Sequence, residues 1–448
     1  MCSTSASVNP SCFSAIGPKN VEVRFESDHL TSDAGMLFLR EADIALQLTR
    51  HMDMAILDSR ERGKVKHTNL SMLTARIFAI ASGYFGANDI KSLRRDAGMQ
   101  IACGKLNSAE MASQPTISRF ENGITSKDLL CLAIAIGRIT VSQLPADTKR
   151  VVIDIDATDD PCYGNQQMSM FNRYYDSKCY LPLLLHITAD DKIQWLMASL
   201  LRPGNAGAQV GLRAILGFAS RILRERFPNI KIELRADGAF GNSKTIAICN
   251  KLNIDFTLGM PGNSVLQRLI TEDTTSLNEA YEHTKEDQTK FCVVHYHPDQ
   301  WPKGIKVIAK LETCWKNPNT RYVITTNTSL TAEEIYHHYS RRGDQENRIK
   351  ELKNDLSSGS TSCSNFKANQ FRLLLHTAAC VLMRKLQSAL KGTKWAQIQI
   401  RNLRLRIIKM AARIQVTRRK VTIILSADTS NRDIWDALCR NLGPPLSG

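Results

Sequence analysis

The feature that most constrains this chain is a change of hydrophobic period near residue 150. Before it, apolar residues recur at helical spacing. After it come short β-branched and apolar runs, too short for helices. Two of them, residues 151–156 and 232–237, end in a carboxylate, Asp156 and Asp237. Residues 181–188, 193–200 and 256–260 read as further strands, and 209–226 and 243–252 as helices. The order is three strands, helix, strand, helix, strand. The first three strands can form a meander, and the later crossovers require parallel pairing. The expected fold class is α/β, a mixed sheet flanked by helices.

The remaining segments arrange themselves around this core. Residues 1–20 read as a disordered leader and 21–148 as a helical N-terminal domain. Helices are expected after Thr31-Ser32-Asp33, over 69–84, and from Ser113, with Pro115 in the first turn. That last start points Ser, Thr and Arg119 outward, which suits a DNA-contacting helix and equally an ordinary capped one. Residues 149–261 and 328–360 form the sheet-and-helix core. Residues 262–327, polar with alternating segments, read as a β-rich insertion. Residues 361–448 form a mainly helical C-terminal region, with a strand at 420–425.

Charge narrows the partner. The 448 residues carry a net charge of +16, which points to an anionic partner, most simply nucleic acid. From residue 361 onward there are 16 Lys and Arg against three acids. Arg404, Arg418 and Arg419 belong to this basic stretch and are expected to meet phosphates. The 12 cysteines form no CxxC pair, so a zinc ribbon has little support and reduced thiols fit better. No signal-peptide pattern and no apolar run of about 20 residues is present. A cytoplasmic protein without a membrane partner is expected.

The acids then acquire a chemistry. Both Asp156 and Asp237 close a strand, where sites in α/β sheets form. Asp154 competes with Asp156, since it lies on the same strand face. Downstream, Tyr339, Arg342, Glu346 and Lys353 fall on one face of an expected helix. Thr331 and Glu334 make a capping box for that helix, and Gly343 sits inside it. Such a face reads either as a solvated charged surface or as part of a site. Three carboxylates from two strands and a helix can hold two divalent ions about 4 Å apart, for in-line displacement at phosphorus. Oxygen-only donors favour Mg²⁺ or Mn²⁺.

The spacing from Tyr339 through Arg342 and Glu346 to Lys353 resembles the YREK signature of bacterial DDE transposases. Asp156-Ala-Thr158 and Arg235-Ala-Asp237-Gly-Ala-Phe240 resemble the blocks around the first two acids of that class. Leu30-Thr-Ser-Asp-Ala-Gly35, Leu93-Arg-Arg-Asp96, Leu201-Arg-Pro-Gly-Asn205 and Glu346-Asn347 are similar to insertion-sequence family thirteen-eighty. Gly343 stands where many YREK proteins carry Trp.

The resemblance implies a ribonuclease-H-like core in which Asp156, Asp237 and Glu346 hold two Mg²⁺ ions. It implies cleavage of element ends and joining of the 3′-OH to target DNA, by a homodimer on terminal inverted repeats. Arg342 and Lys353 would hold phosphates, and Tyr339 would bond a phosphate or stack on a base. Arg202 would contact DNA or serve a turn. The alternatives are a nuclease of the same core without strand transfer, and an inactive DNA-binding derivative.

Overall fold

The computed structural model describes residues 29–443 apart from 106–109, 190–192, 314–317, 360 and 428–429. Before position 29 it describes 9–10, 14, 16, 18–19 and 22–23. Most of the expected leader therefore lies outside the described residues, although Asn9–Pro10 pairs with Glu22–Val23.

The N-terminal region is helical. Its main elements are α1 (Met36–Leu46), α2 (Leu48–Met54), α3 (Asn69–Ala81), α4 (Gln114–Asn122) and α5 (Ser126–Ser142). Caps set several of their starts: Thr68 accepts from the Ser71 N–H, and Thr125 forms a capping box with Asp128. Leu30–Thr31, expected to lead into a helix, is a short strand paired with Ala412–Val416. Helix α1 begins at Met36, as expected after Thr31-Ser32-Asp33, and Gly35 before it docks so closely that a Cβ would overlap the Ile407 carbonyl.

The sheet has eight strands: β1 (Arg150–Ala157), β2 (Leu183–Ala189), β3 (Gln194–Leu200), β4 (Lys231–Ala236), β5 (Asp255–Met260), β6 (Gln288–Val294), β7 (Lys306–Thr313) and β8 (Asn319–Thr325). Their spatial order is β6-β7-β8-β5-β4-β1-β2-β3. β1, β2 and β3 form the expected antiparallel meander, and β4 lies parallel to both β1 and β5. Helices α6 (Leu212–Arg226) and α7 (Ser243–Leu252) supply the crossovers. The fold is thus α/β with a mixed sheet flanked by helices, consistent with a ribonuclease-H-like core.

Two stretches differ from their sequence reading. Residues 262–327 open with helices Ser264–Leu269 and α8 (Thr271–Thr284) before their strands begin. Those strands then extend the main sheet, because β8 pairs antiparallel with β5. Between β1 and β2 a further small sheet appears, built from Asp160–Pro161, Met170–Asn172 and Ser177–Tyr180. Strands of two to four residues carry too few alternations to show a period.

Beyond β8 come α9 (Ala332–Ser340) and α10 (Gly343–Lys350), then a π-helical turn, Glu351–Asp355. Helix α11 (Phe366–Ala389) is buried along most of its length and packs on α1, α3, α5 and β3. After α11 the C-terminal region continues with a short helix, Ile400–Leu403, and a π-helical turn, Arg404–Ile408. A hairpin of Ala412–Val416 and Val421–Leu425 follows, then α12 (Arg432–Leu442).

Inside this core, Glu121 on α4 accepts from Arg76 of α3 at 2.7 Å and from Arg372 of α11 at 2.8 Å. All three side chains are buried, so one carboxylate satisfies two guanidiniums away from water. Glu121→Ala would strand both cations. We expect it to lower stability by about 3–5 kcal/mol in urea unfolding, with a change under about 1 kcal/mol refuting this role.

Candidate active site

The register of two strands places the first two acids. β1 and β4 run parallel with Asp154 opposite Arg235. Two residues further, on the same face, come Asp156 and Asp237. Neighbouring strands lie roughly 4.8 Å apart, so these carboxylates emerge side by side. The pair beneath them is of opposite charge. Arg235 donates to both oxygens of Asp154, at 2.6 and 2.9 Å, and Gln194 adds a bond at 2.9 Å. Asp154 is fully buried and committed to these bonds, whereas Asp156 and Asp237 are partly open.

The loop after β4 is tightly built. The Asp237 side chain accepts from the Ala239 N–H at 3.0 Å, and Asn242 then caps α7. A Cβ on Gly259 of β5 would lie 2.5 Å from the Tyr339 hydroxyl and 2.8 Å from the Gly238 nitrogen. Gly259 thus lets Tyr339 and the Asp237 loop close over the same strand.

The expected uninterrupted helix is broken. The capping box of Thr331 and Glu334 starts it, but α9 stops at Ser340 and α10 begins at Gly343. A Cβ at Gly343 would meet nothing within 4 Å, so close approach does not require glycine there. Several bonds hold the two helices on the sheet. Arg235 donates to the His338 carbonyl at 2.8 Å, and His338 Nε2 lies 2.8 Å from Glu233. Buried Gln345 donates to the Asp154 carbonyl at 3.0 Å. Arg235, Glu233 and Gln345 therefore position the site, yet no helical or strand period singles them out.

Arg342 joins the acids. Its guanidinium lies 2.9 Å from Glu346 and 3.8 Å from Asp156. Asp237, Asp156 and Glu346 all act on it, as does the Tyr339 hydroxyl. The structure thus brings together Asp156, Asp237, Tyr339, Arg342 and Glu346. Lys353 sits in the π-helical turn and pairs with Asp159, three residues past Asp156, at 2.6 Å. The wider turn changes its phase from that of a regular helix.

The other cations divide. Arg202 is buried and donates to the carbonyls of Leu181, Gly207, Ala208 and Val210, so it supports a turn and is not exposed for DNA. Arg404 donates to the carbonyls of Ala81 and Asp355 and lies over Phe85, so its donors are used internally. Arg119 is exposed on α4. Arg418 and Arg419 are exposed at the turn of the 412–425 hairpin. A cleft of about 890 Å³ lies on the other flank of α10, lined by residues such as Arg348, Glu351 and Arg384, and not at the acids.

Burial, then the neighbouring Asp237, pushes the Asp156 carboxyl from an ordinary 3.8 up to about 6. Glu346 pushes it the same way, while the Ala157 N–H and Arg342 oppose this. A surplus of negative charge is the kind of site a cation relieves. The donors are carboxylate oxygens, which suit a hard divalent ion. Among the described residues, no group of three or more His, Cys, Asp or Glu side chains is arranged to hold one. Arg342 lies near both carboxylates, 3.8 Å from Asp156 and 2.9 Å from Glu346. The donor chemistry fits a divalent ion, provided Arg342 withdraws.

Two acids thus stand at the ends of adjacent parallel strands, on the carboxyl edge of a mixed sheet, with a third on a helix docked above them. Over residues 13–444 the chain matches the family described as transposase DDE domain group 1, and it belongs to that family. It is therefore a DDE transposase by family, a class that cleaves and joins DNA and uses divalent metal ions. No curated protein matches the chain. Among the described residues, no helix is long and apolar enough to cross a membrane.

The raised Asp156 carboxyl sets a pH dependence. Folded, it holds its proton more tightly than unfolded, so its contribution to stability falls as pH rises from about 4 to 6. In metal-free buffer, Asp156→Asn should be more stable than wild type above pH 6, by about 1–3 kcal/mol. The advantage should vanish near pH 4. Parallel stability profiles of the two proteins across this range would exclude the effect.

Proposed function

We propose that this protein is a cut-and-paste transposase of the YREK type, similar to insertion-sequence family thirteen-eighty. The observation that carries the reading is the like-charge pair Asp156 and Asp237, with Glu346 brought to it through Arg342. These three acids are proposed as the metal ligands. Two Mg²⁺ ions, or Mn²⁺, would supply an activated water and charge stabilisation for in-line displacement at phosphorus.

The chain's own residues do the rest. Asp156, fixed by its ladder with β2, and Asp237, held by the Ala239 N–H, present their oxygens at one spacing throughout. Arg342 neutralises Glu346 and Asp156 while no DNA is bound. A phosphate of the bound strand offers Arg342 a bidentate partner of its own, which frees Glu346. Tyr339, close against Gly259, bonds a phosphate oxygen from a fixed position. Lys353 exchanges Asp159 for a phosphate flanking the scissile bond. After hydrolysis the 3′-OH stays at the same acids and attacks target DNA. Exposed Arg119, Arg418 and Arg419 supply salt-dependent contacts to terminal inverted repeats and target. Two ends brought together imply a homodimer on DNA.

Glu346→Gln and Asp237→Asn should each retain DNA affinity and reduce Mg²⁺-dependent cleavage by more than about a hundred-fold, beyond the usual loss for an outer-shell change. Labelled element ends, with products resolved by strand, provide the measurement. Cleavage at the wild-type rate in either variant would remove that residue from the metal site. Wild-type cleavage without joining of precut ends would favour the nuclease reading.

A further inference from the structure

The small sheet that follows Asp156 carries large apolar side chains in water. Its strands are Asp160–Pro161, Met170–Asn172 and Ser177–Tyr180. On it and its loops Phe171 is 57% exposed, Tyr174 87% and Tyr163 95%. Single exposed apolar residues are ordinary, but a cluster on one small element marks a binding surface.

The turn of this hairpin is not loose. The Asn172 side-chain oxygen accepts from the N–H groups of Tyr174 and Tyr175, at 2.9 and 3.3 Å. Its amide donates to the Gly204 carbonyl at 2.7 Å. Gly204 itself packs so closely that a Cβ would overlap the carbonyls of Cys179 and Met170. The Tyr174 ring rests on Tyr175, with centroids 4.9 Å apart and planes at 88°. The turn's backbone is thereby fixed beneath an almost fully exposed ring.

Charge and position say what would cover it. Arg173 and Lys178, both exposed, alternate with the rings. Flat rings interleaved with cations suit stacked bases on an anionic backbone. The sheet begins at Asp160, four residues beyond Asp156, and Tyr175 lies within electrostatic reach of Asp159 and Asp156. A strand crossing the acids would therefore run next onto the hairpin.

We infer that the hairpin of residues 170–178 is a stacking site for unpaired bases beside the scissile phosphate, with Phe171 and Tyr174 as platforms and Arg173 and Lys178 on the backbone. This rests on the DNA-cutting reading above. The test uses full-length protein, metal-free buffer and two fluorescein-labelled duplexes of one sequence. One is blunt and the other ends in a short 3′ run of unpaired thymidines. By anisotropy, wild type should bind the tailed duplex about ten-fold more tightly, within the range expected for stacked bases. Tyr174→Ala should lose most of that preference and keep its affinity for the blunt duplex. Tyr174→Trp should retain the preference, because the ring and not the hydroxyl carries it.

Equal wild-type affinity for both probes, or an intact preference in Tyr174→Ala, overturns the inference alone. So does loss of self-association in Tyr174→Ala with the preference unchanged, which would assign the patch to a second copy of the chain. Failure of wild type to bind either probe overturns the DNA-acting reading together with this one.

Discussion

The ion pair of Asp154 and Arg235 is the constraint on which the site depends. Both side chains are sealed from water, so each charge has to be fully bonded. Arg235 spends two donors on Asp154 and another on the carbonyl of His338. That last bond ties the end of α9 to the centre of the sheet. One face of β4 then reads as a ladder of Glu233, Arg235 and Asp237. Glu233 is satisfied by His338, Arg150 and Thr257, which together hold its carboxyl at about 2 despite burial. Arg235 is satisfied by Asp154. Asp237, at the open end, meets another carboxylate. The charges are paired one for one where the sheet is closed, whereas at its open end three carboxylates share Arg342.

Helix α11 carries the same logic across the molecule. Arg372 joins it to Glu121 of the N-terminal helices, and Arg384 lies 3.1 Å from Glu351, at the start of the π-helical turn. His376 donates from Nδ1 to the Leu356 carbonyl at 2.7 Å, and burial depresses its basicity to about 3, so the ring stays neutral. The segment holding Lys353 is thus anchored from behind by the helix that touches the N-terminal domain. A wide turn at that point survives because both of its flanks are bonded.

Much of the core was legible because strand and helix periods are local. The order of β1 to β5 and the acids at the ends of β1 and β4 follow from short apolar runs. What failed was long-range or rested on an unbroken period. The alternation in 262–327 is visible, but its pairing with β5 depends on a partner far away in sequence. The face of Tyr339, Arg342, Glu346 and Lys353 assumed one continuous helix, whereas a break at Arg341–Arg342 and a π-helical turn intervene. Composition placed Arg404 among the phosphate-facing cations, although it closes backbone carbonyls inside the fold; of the two roles open to Arg202, DNA contact or a turn, the structure shows the turn. Arg-Pro-Gly-Asn was the one available hint, since turns leave carbonyls that need a donor. Asp154 and Asp156 are indistinguishable by alternation. Only the arginine opposite Asp154 separates them.

The division of labour between strands and helices follows from these bonds. Asp156 is fixed by its antiparallel ladder with β2, and Asp237, one residue past β4, is held by the Ala239 N–H. Arg342, Glu346 and Lys353 stand on a broken helix and a wide turn, with Arg342 shared between Glu346 and Asp156 and Lys353 paired with Asp159. Partly exposed ion pairs of this kind are worth about 1 kcal/mol or less, so in the proposed mechanism a phosphate would replace a carboxylate partner at little cost. Under the proposed function, the acids are therefore the rigid part of the site, and the cations are the part that would change partners when DNA binds.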